Sequence, residues 1–425
     1  MSVATTRRSV LMGALGLAGA MTSFGAAYAE TMRLRLAWWG GNERTRRTQE
    51  VLKLYQQRVA GVELAGEVSN SEYFTKLATQ VVGRSAPDIF QLEPNSFADF
   101  VKRDCVLSLD GLMPNPIDIA GISRAMLDLC TVDGKVWGIP QALNSFAMMY
   151  DKDAFATAGV APPDAQTSWD DYADRVVELT KALNRRRFWG SCDASGYSYA
   201  FQVWLRQRGR DLFTADQALG FGKDDVAEWF SYWDKLRRRG GCVPADVAAI
   251  SPDSTINLMP LIQGKAATSF AFSNQIVGMQ ATTPVQLAMT MFPNGGAGAK
   301  PGQFYRPASS WSIYAQSASP EAAARFINFF VSDPDAAKIL GVERGVPMSP
   351  ALRASILPTL QPVERATVDY IDTIADKLGP YPPPPPKGSQ QFGQLMKRAA
   401  DAVAFNSASI GDSAATLMKD AHSIL

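Results

Sequence analysis

"RLRLAWWGGNERTRR", residues 33–47, contains the transition that decides the fold of this chain. Leu34, Leu36 and Trp38 recur at every second position, which is typical of a half-buried β-strand. A second tryptophan and two glycines follow, and an arginine-rich run with helical spacing then begins. Strand parity places Trp38 on the face of the leucines, whereas Trp39 emerges on the opposite face at the strand's carboxyl end. We therefore predict Trp38 in the core and Trp39 stacked on a ligand.

Strand and helix patterns continue to alternate over the N-terminal third of the chain. Residues 62–68 and 88–92 predict two further strands, and apolar residues at helical spacing follow each of them. The order is therefore β-α-β-α-β-α, which indicates a parallel or mixed sheet with helices on its faces. Such sheets bind ligands beyond the carboxyl ends of their strands.

Later changes in pattern predict a second lobe. Residues 134–150 combine a turn, a proline, a polar patch and an apolar strand, as expected where a chain crosses between lobes. A helical block follows, and strand patterns return from about 284. The chain also exceeds the ~250–300 residues that one core usually spans. A proline-rich segment, residues 382–386, is expected to be a stiff, exposed spacer. We expect an α/β fold in two lobes, each a mostly parallel sheet flanked by helices: lobe 1 is 31–144 plus about 292–340, and lobe 2 is 145–291 plus about 341–425.

The first 29 residues have the pattern of an export signal. Arg7 and Arg8 precede an uncharged apolar run that ends in Ala27-Tyr28-Ala29. The run is shorter than the ~20 residues that span a membrane. We predict a twin-arginine signal peptide that is cleaved after Ala29. Because no cysteine follows directly, we expect a free periplasmic protein rather than a lipid-anchored one.

The charge balance gives no sign of a polyanionic partner. Once the two signal arginines are removed, basic and acidic residues nearly cancel. Two basic triplets, at 185–187 and 237–239, close predicted helices, where cations meet the negative end of the dipole. We therefore expect no nucleic-acid partner, and a single two-lobed chain is expected to act as a monomer.

The cysteines match no metal-binding pattern. They are widely spaced and contain no C-x-x-C pair: Cys105, Cys130, Cys192 and Cys242. In an oxidising compartment they either form one or two disulfides, Cys105–Cys130 being the easiest by separation, or lie buried as small side chains.

The residue inventory excludes most catalytic chemistry. His422, the single histidine, lies in the last turns of a terminal helix, so histidine-based triads and metal sites are not expected. The glycine-rich loop 294–298 completes neither a P-loop nor a dinucleotide fingerprint. Paired carboxylates remain open, with Glu93 and Asp193 as candidates for glycoside hydrolysis. We expect no enzyme, no cofactor and no metal.

Aromatic and amide side chains gather at predicted strand ends and loops. A sugar site combines flat rings for the apolar C–H faces with groups that both donate to and accept from hydroxyls. The residues of this kind are Trp39, Asn42, Asn95, Gln141, Asn144, Tyr197, Phe272, Ser273, Asn274 and Trp311.

Several stretches in the same order resemble the family 1 extracellular solute-binding proteins, of the maltose-binding-protein type, that serve ABC sugar importers. They include "LAWWGG", "KLATQVVGRSAPDIFQLE", "VWGIPQALNSFAMMYDKDAFATAGV", "FAFSNQ", "ASSWSIYAQSASPEAAARFINFFVSDPDAAK" and "RGVPMSP". The resemblance implies a two-lobe periplasmic-binding-protein fold joined by hinge crossings. It also implies a carbohydrate ligand in the interlobe cleft and a membrane permease as partner.

The resemblance also implies roles for residues of the first lobe. Trp39 and Gly40 correspond to the first binding loop, and Asn144 is similar to the polar residue beside the first hinge crossing. Ser310 and Trp311 look like the loop by which the chain returns to the first lobe.

Positions in and near the second lobe are matched in the same way. Phe272 and Ser273 look like residues of the strand end that faces the cleft. Arg344 and Gly345 look like residues of the third crossing between the lobes. Phe392 has the place of an aromatic residue that the family uses late in this lobe.

Arg306, just ahead of the return loop, would suit an acidic sugar if it points into the cleft, because a guanidinium can bind a carboxylate through two hydrogen bonds. The alternative for Arg306 is a surface salt bridge. Two other functions stay open: a periplasmic glycoside hydrolase or lyase, and a binding protein for a non-sugar solute such as a polyamine or iron.

Overall fold

The computed structural model describes most of the chain. Its described residues are 31–69, 72–93, 96–250, 256–383, 385–386 and 388–425. The expected signal peptide and Asn95 lie outside them. Within the described ranges, no helix has both the length and the apolar character needed to cross a membrane.

Strands and helices alternate along the described chain. The strands are β1 (Met32–Trp38), β2 (Val62–Val68), β3 (Ile89–Leu92), β4 (Thr131–Val132), β5 (Lys135–Val136), β6 (Ile139–Pro140), β7 (Leu143–Asn144), β8 (Phe146–Asp151), β9 (Thr268–Phe272), β10 (Leu287–Thr290), β11 (Arg306–Pro307) and β12 (Ser310–Ile313). The helices are α1 (Asn42–Arg58), α2 (Tyr73–Val82), α3 (Phe97–Lys102), α4 (Arg124–Asp128), α5 (Lys152–Ala158), α6 (Trp169–Leu183), α7 (Ser198–Gln207), α8 (Lys223–Arg238), α9 (Ala245–Ala248), α10 (Gln275–Gln280), α11 (Pro320–Ser332), α12 (Pro334–Leu340), α13 (Pro350–Ile356), α14 (Pro362–Thr373), α15 (Phe392–Ala404) and α16 (Ile410–Ser423).

The first lobe is built on a five-stranded sheet in the order β2-β1-β3-β12-β6. β1 pairs in parallel with β2 and β3, so the predicted β-α-β-α-β-α order is confirmed. β12 is antiparallel to β3, and Ser310 at its start pairs with Leu92 at the end of β3. The ends of β1 and β3 and the start of β12 therefore lie at the same edge of the sheet.

The two faces of β1 have different neighbours, as its parity predicts. Leu34, Leu36 and Trp38 are buried in one core with helices α1 and α11, whereas Ala37 belongs to a second core on the opposite face. A Cβ at Gly66 would lie 2.5 Å from Cη2 of Trp38, so only glycine leaves room for this ring. The prediction that Trp38 is a core residue is confirmed.

The second lobe contains a three-stranded sheet in the order β10-β8-β9. Both outer strands run antiparallel to β8, so the expected mostly parallel sheet is wrong for this lobe. β8 leaves the hinge while β9 and β10 run back towards it, since Phe272 at the end of β9 pairs with Phe146 at the start of β8. The carboxyl ends of the outer strands therefore face the junction of the lobes.

Helices cover both faces of the second sheet. Phe146 and Met148 of β8 face a large aromatic core with α6–α8, α15 and α16, whereas Met149 faces a core with α10, α13 and α14. Phe292 and Phe304 also pack in the aromatic core. The chain therefore returns to the first lobe after residue 304, later than the expected boundary at about 292.

Three chain crossings meet between the lobes and form the hinge. Arg306 in β11 pairs with Asn144 in β7, and Leu143 exchanges two backbone hydrogen bonds with Val346, at 2.7 and 2.8 Å. The crossings thus form a short ladder of backbone hydrogen bonds. Hinge closure between two domains takes place at a few loop or element-terminal residues such as these.

The four cysteines are buried thiols, which is the second of the two alternatives left open by the sequence. Sγ of Cys130 lies 3.0 Å from the hydroxyl oxygen of Ser310, and burial raises the pKa of this thiol to about 12. Neutral, buried side chains of this type act as small core residues.

Candidate functional site

A cavity of about 430 Å³ lies beside the hinge, between the two lobes. We call it the cleft cavity. Glu93, which follows β3, contributes from the first lobe, and Arg306 contributes from the hinge. Tyr197, Tyr199 and residues near the proline-rich segment contribute from the second lobe. The volume is within the ~300–1,000 Å³ usual for a small-molecule site.

The charged centre of the cleft cavity is the guanidinium of Arg306. Its Cζ lies 4.8 Å from the ring centre of Tyr199 and 4.9 Å from that of Phe272. The nearest carboxylate oxygen described is Oε2 of Glu93, 3.9 Å from Nη2 and thus beyond hydrogen-bonding distance. The side chain is only 14% exposed. This cation is therefore held by two aromatic faces and by a long ion pair with Glu93 that lacks a hydrogen bond.

The protonation of Arg306 follows from these neighbours. Burial acts to lower its pKa, but the electrostatic effects of Tyr199, Glu93 and Tyr381, with a hydrogen bond to Tyr199, raise the pKa above its ordinary value. Arg306 is charged at every physiological pH. The cleft cavity thus presents the fixed positive charge of Arg306 together with the carboxylates of Glu93 and Asp211.

Aromatic rings form much of the remaining wall. Tyr197 and Tyr199 have ring centres 5.6 Å apart, and the ring of Tyr381 packs edge-on against Phe304 at 5.3 Å. Phe392 also lines the cavity but is only 2% exposed, because its ring belongs to the aromatic core of the second lobe. Phe392 therefore supports the wall more than it offers a stacking face.

Polar side chains of α7 complete the wall. Gln202 donates a 2.7 Å hydrogen bond to Asp211, which also pairs with Arg206. The negative charge of the Asp211 carboxylate is thus balanced by the guanidinium of Arg206. Ser198, at the first turn of α7, adds a hydroxyl to the same wall.

Trp39, Gly40 and Asn42 follow the end of β1, and none of the three lines the cleft cavity. Trp39 is partly exposed and packs against Tyr73 and Phe74, with ring centres at 4.9 and 5.6 Å. Gly40 has a φ of +148°, and a Cβ there would collide with the side chain of Arg44. Asn42 is exposed at the first position of α1.

Four of the predicted amide and hydroxyl residues build the hinge instead of the cavity wall. Nδ2 of Asn144 donates to the carbonyl of Arg344 at 3.2 Å, and Nδ2 of Asn274 donates to that of Glu343 at 3.0 Å. The backbone N–H of Ser273 donates to Ser145 at 2.9 Å. Gln141, 7% exposed, is the fourth of these residues.

Arg344 and Trp311 are also buried under the hinge and do not line the cavity. Arg344 donates to the side chains of Gln91, Gln141 and Thr48 at 2.8–2.9 Å. Burial, and then the charge of Arg44, lower its pKa to about 9. Trp311 faces the core because β12 lies between two other strands and both of its faces are covered. That these two side chains contact a ligand stays a prediction.

Sequence reasoning missed Tyr199, Tyr381 and the prolines that follow it. The segment 382–386 is not an exposed spacer, because Pro382, Pro383 and Pro385 line the cleft cavity. The alternation of tyrosines in "GYSYAF" could have indicated Tyr199. No local pattern indicated that the proline-rich segment would fold back onto the cleft.

The structure does not bring together the two carboxylates named for hydrolysis. Glu93 lines the cleft cavity, whereas Asp193 is 2% exposed, pairs with Arg237 and lines a separate small cavity. His422 lies on α16, where Nδ1 is 2.7 Å from the carbonyl oxygen of Met418. Asp193 and His422 do not line the cleft cavity.

Comparison with known proteins gives one consistent result. Residues 50–361 match the family model described as bacterial extracellular solute-binding protein. An arabinooligosaccharide-binding protein of Bacillus subtilis is 32% identical over 165 residues, which are 39% of this chain and 37% of the relative. A family 1 extracellular solute-binding protein of Alicyclobacillus acidocaldarius is 29% identical, with a TM-score of 0.74 over 92% of this chain and 98% of that one. A periplasmic oligogalacturonide-binding protein of Yersinia enterocolitica, in complex with digalacturonic acid, shares the fold at 20% identity, with a TM-score of 0.80 and the same coverage.

Proposed function

The chain belongs to the bacterial extracellular solute-binding proteins, and we propose that it binds a mono- or oligosaccharide in the cleft cavity and delivers it to the permease of an ABC importer. The observation that carries the proposal is a cavity between two hinged lobes that combines aromatic rings with a cation, a carboxylate and hydroxyl groups. These are the groups that a sugar requires. Two relatives are named for oligosaccharides of arabinose and of galacturonic acid.

The proposal includes export and closure. The protein acts in the periplasm after twin-arginine export and removal of residues 1–29, and it acts as a monomer. Its lobes meet at the crossings around residues 144, 306 and 345. A ligand favours the closed state only by the additional contacts it makes with the second lobe when the lobes approach. Glu93 contributes to the cavity from the first lobe and Arg306 from the hinge, whereas Tyr197 and Tyr199 contribute from the second lobe.

An acidic sugar is the form of ligand that Arg306 favours. Its N–H groups make no hydrogen bond to a carboxylate among the described residues, and a ligand carboxylate could accept two of them. Hydrogen bonds to charged groups contribute roughly 1.5–3 kcal/mol. Replacement of Arg306 should therefore weaken binding of an acidic sugar by roughly 10- to 150-fold.

The test is a thermal-shift screen of neutral and acidic saccharides, followed by calorimetric titration of those that raise the melting temperature. Arg306→Gln should weaken galacturonide binding far more than binding of the corresponding galactose oligomers. Arg325→Gln, on an exposed arginine paired with Glu321, is the matched control. Saturable binding without release of new reducing ends supports a binding protein. Release of reducing ends would support the hydrolase alternative, and stabilisation only by a polyamine or iron would support the non-sugar one.

A further inference from the structure

The proline-rich segment, expected from its sequence to be an exposed spacer, lies against two cavities. Tyr381, Pro382, Pro383 and Pro385 line the cleft cavity, and Pro386 lines a second cavity of about 1200 Å³. The segment thus lies between two spaces that could hold a ligand. Burial raises the pKa of Tyr381 to about 12, so its hydroxyl remains neutral and can both donate and accept.

Both ends of the segment are attached to the second lobe. The backbone N–H of Gly379 donates a 2.8 Å hydrogen bond to the carbonyl of Gln303, and the carbonyl of Pro380 accepts from Arg206. Gly388 has a φ of +87° and lies so close to the backbone of the last turn of α16 that a Cβ would not fit. Proline fixes its own φ, so little conformational entropy is lost when a ligand contacts the segment. The segment is therefore a preformed wall.

The second cavity lies mainly against the first lobe. Phe74 of α2 and Phe100 of α3 line it from that lobe, and Pro386 and Ser389 line it from the second lobe. Ser389 also lines the cleft cavity. The two cavities therefore adjoin at this serine. Aromatic rings and prolines line both of them.

We propose that the wall formed by Tyr381, Pro382, Pro383, Pro385 and Pro386 directs an oligosaccharide from Arg306 past Ser389 into the second cavity, so that this protein selects oligosaccharides over monosaccharides. The cleft cavity alone has the volume of a small-molecule site, and the second cavity extends it. Sugar units beyond the first contact proline and phenylalanine surfaces through their apolar C–H faces. This inference rests on the proposed saccharide-binding function.

The test uses two homologous series: arabinose with its α-1,5-linked di- to pentasaccharides, and galacturonic acid with its di- to pentasaccharides. Each compound is titrated calorimetrically into the mature protein. In the series that binds, the dissociation constant should fall at least tenfold between the monosaccharide and the trisaccharide and then level off. Equal affinity for every length would overturn the inference and leave the proposed function intact. If no member of either series binds, the inference fails. If no saccharide of the thermal-shift screen binds either, the proposed function fails as well.

A substitution at the junction gives an independent measurement. Ser389→Trp should obstruct the passage and weaken tetrasaccharide binding at least tenfold, with less than a twofold effect on the monosaccharide. Ser407→Trp, on an exposed serine beyond α15 that lines neither cavity, should change neither affinity. If Ser389→Trp does not fold, Ser389→Leu provides the same comparison. An equal loss of affinity at every length would show that Ser389 supports one compact site and would refute the extended path.

Discussion

The two adjacent tryptophans at the end of β1 should respond oppositely to replacement by alanine. Trp38 is fully buried, and its ring contacts the position of Gly66 so closely that no Cβ fits there. Replacement of a buried tryptophan by alanine costs about 3–5 kcal/mol. Trp39 is partly exposed and makes two ring contacts, each contributing about 0.5–1.5 kcal/mol. Trp38→Ala should therefore lower the free energy of unfolding by more than Trp39→Ala does.

Ligand binding should show the reverse order. If Trp39 stacks on a sugar, Trp39→Ala should raise the dissociation constant at least tenfold, and Trp39→Phe should retain most of the affinity because a ring remains. Urea unfolding followed by circular dichroism gives the stabilities, and calorimetry with the tightest saccharide gives the affinities. A Trp39→Ala protein with unchanged affinity would refute ligand stacking. A Trp38→Ala protein that lost less than about 1 kcal/mol of stability would refute the assignment of Trp38 to the core.

Three further substitutions test the hinge and the second lobe. Arg344→Lys should lower the free energy of unfolding by about 2–3 kcal/mol in urea, because one ammonium cannot reach the three acceptors that the guanidinium contacts. Gly345→Ala should destabilise by more than about 2 kcal/mol, because its φ is +126° and a Cβ would lie 2.6 Å from hinge atoms; Gly111→Ala, which has open space, should have little effect in the same assay. Asp193→Asn should lower the free energy of unfolding by about 3 kcal/mol, and with it the melting temperature, because buried Arg237 loses its hydrogen-bonded carboxylate and keeps only Asp234, at 3.9 Å. Its saccharide affinity should be unchanged, and a large loss of affinity would mean that Asp193 acts in ligand binding.

Several polar residues that the sequence assigned to the ligand site lie in the hinge instead. Asn144 ends β7 and Gln141 directly follows β6, so both have the strand-end position that is typical of polar residues in a sugar site. Arg344 lies between α12 and α13, where the third crossing was expected. The structure uses their hydrogen-bonding groups to join chain segments about 200 residues apart. A polar residue at a strand end can serve either role, and only its partners distinguish them.

Local patterns were sufficient for the first lobe. The period-two spacing at Leu34, Leu36 and Trp38 correctly predicted the buried face of β1, and the following strand and helix signals predicted the order of these elements along the chain. These features depend on contacts between residues that are close in sequence, so the sequence alone expresses them.

The sequence by itself therefore determined the two-lobe α/β class, the family and the place of Trp38 on the buried face of β1. Only the tertiary structure decided the antiparallel direction of the second sheet, the burial of Trp311 and the place of Tyr381–Pro386 in the cleft wall. Each of these depends on which distant segments meet. Periodicity specifies which face of an element is apolar, but the partner that covers that face is selected by the packing of the whole chain.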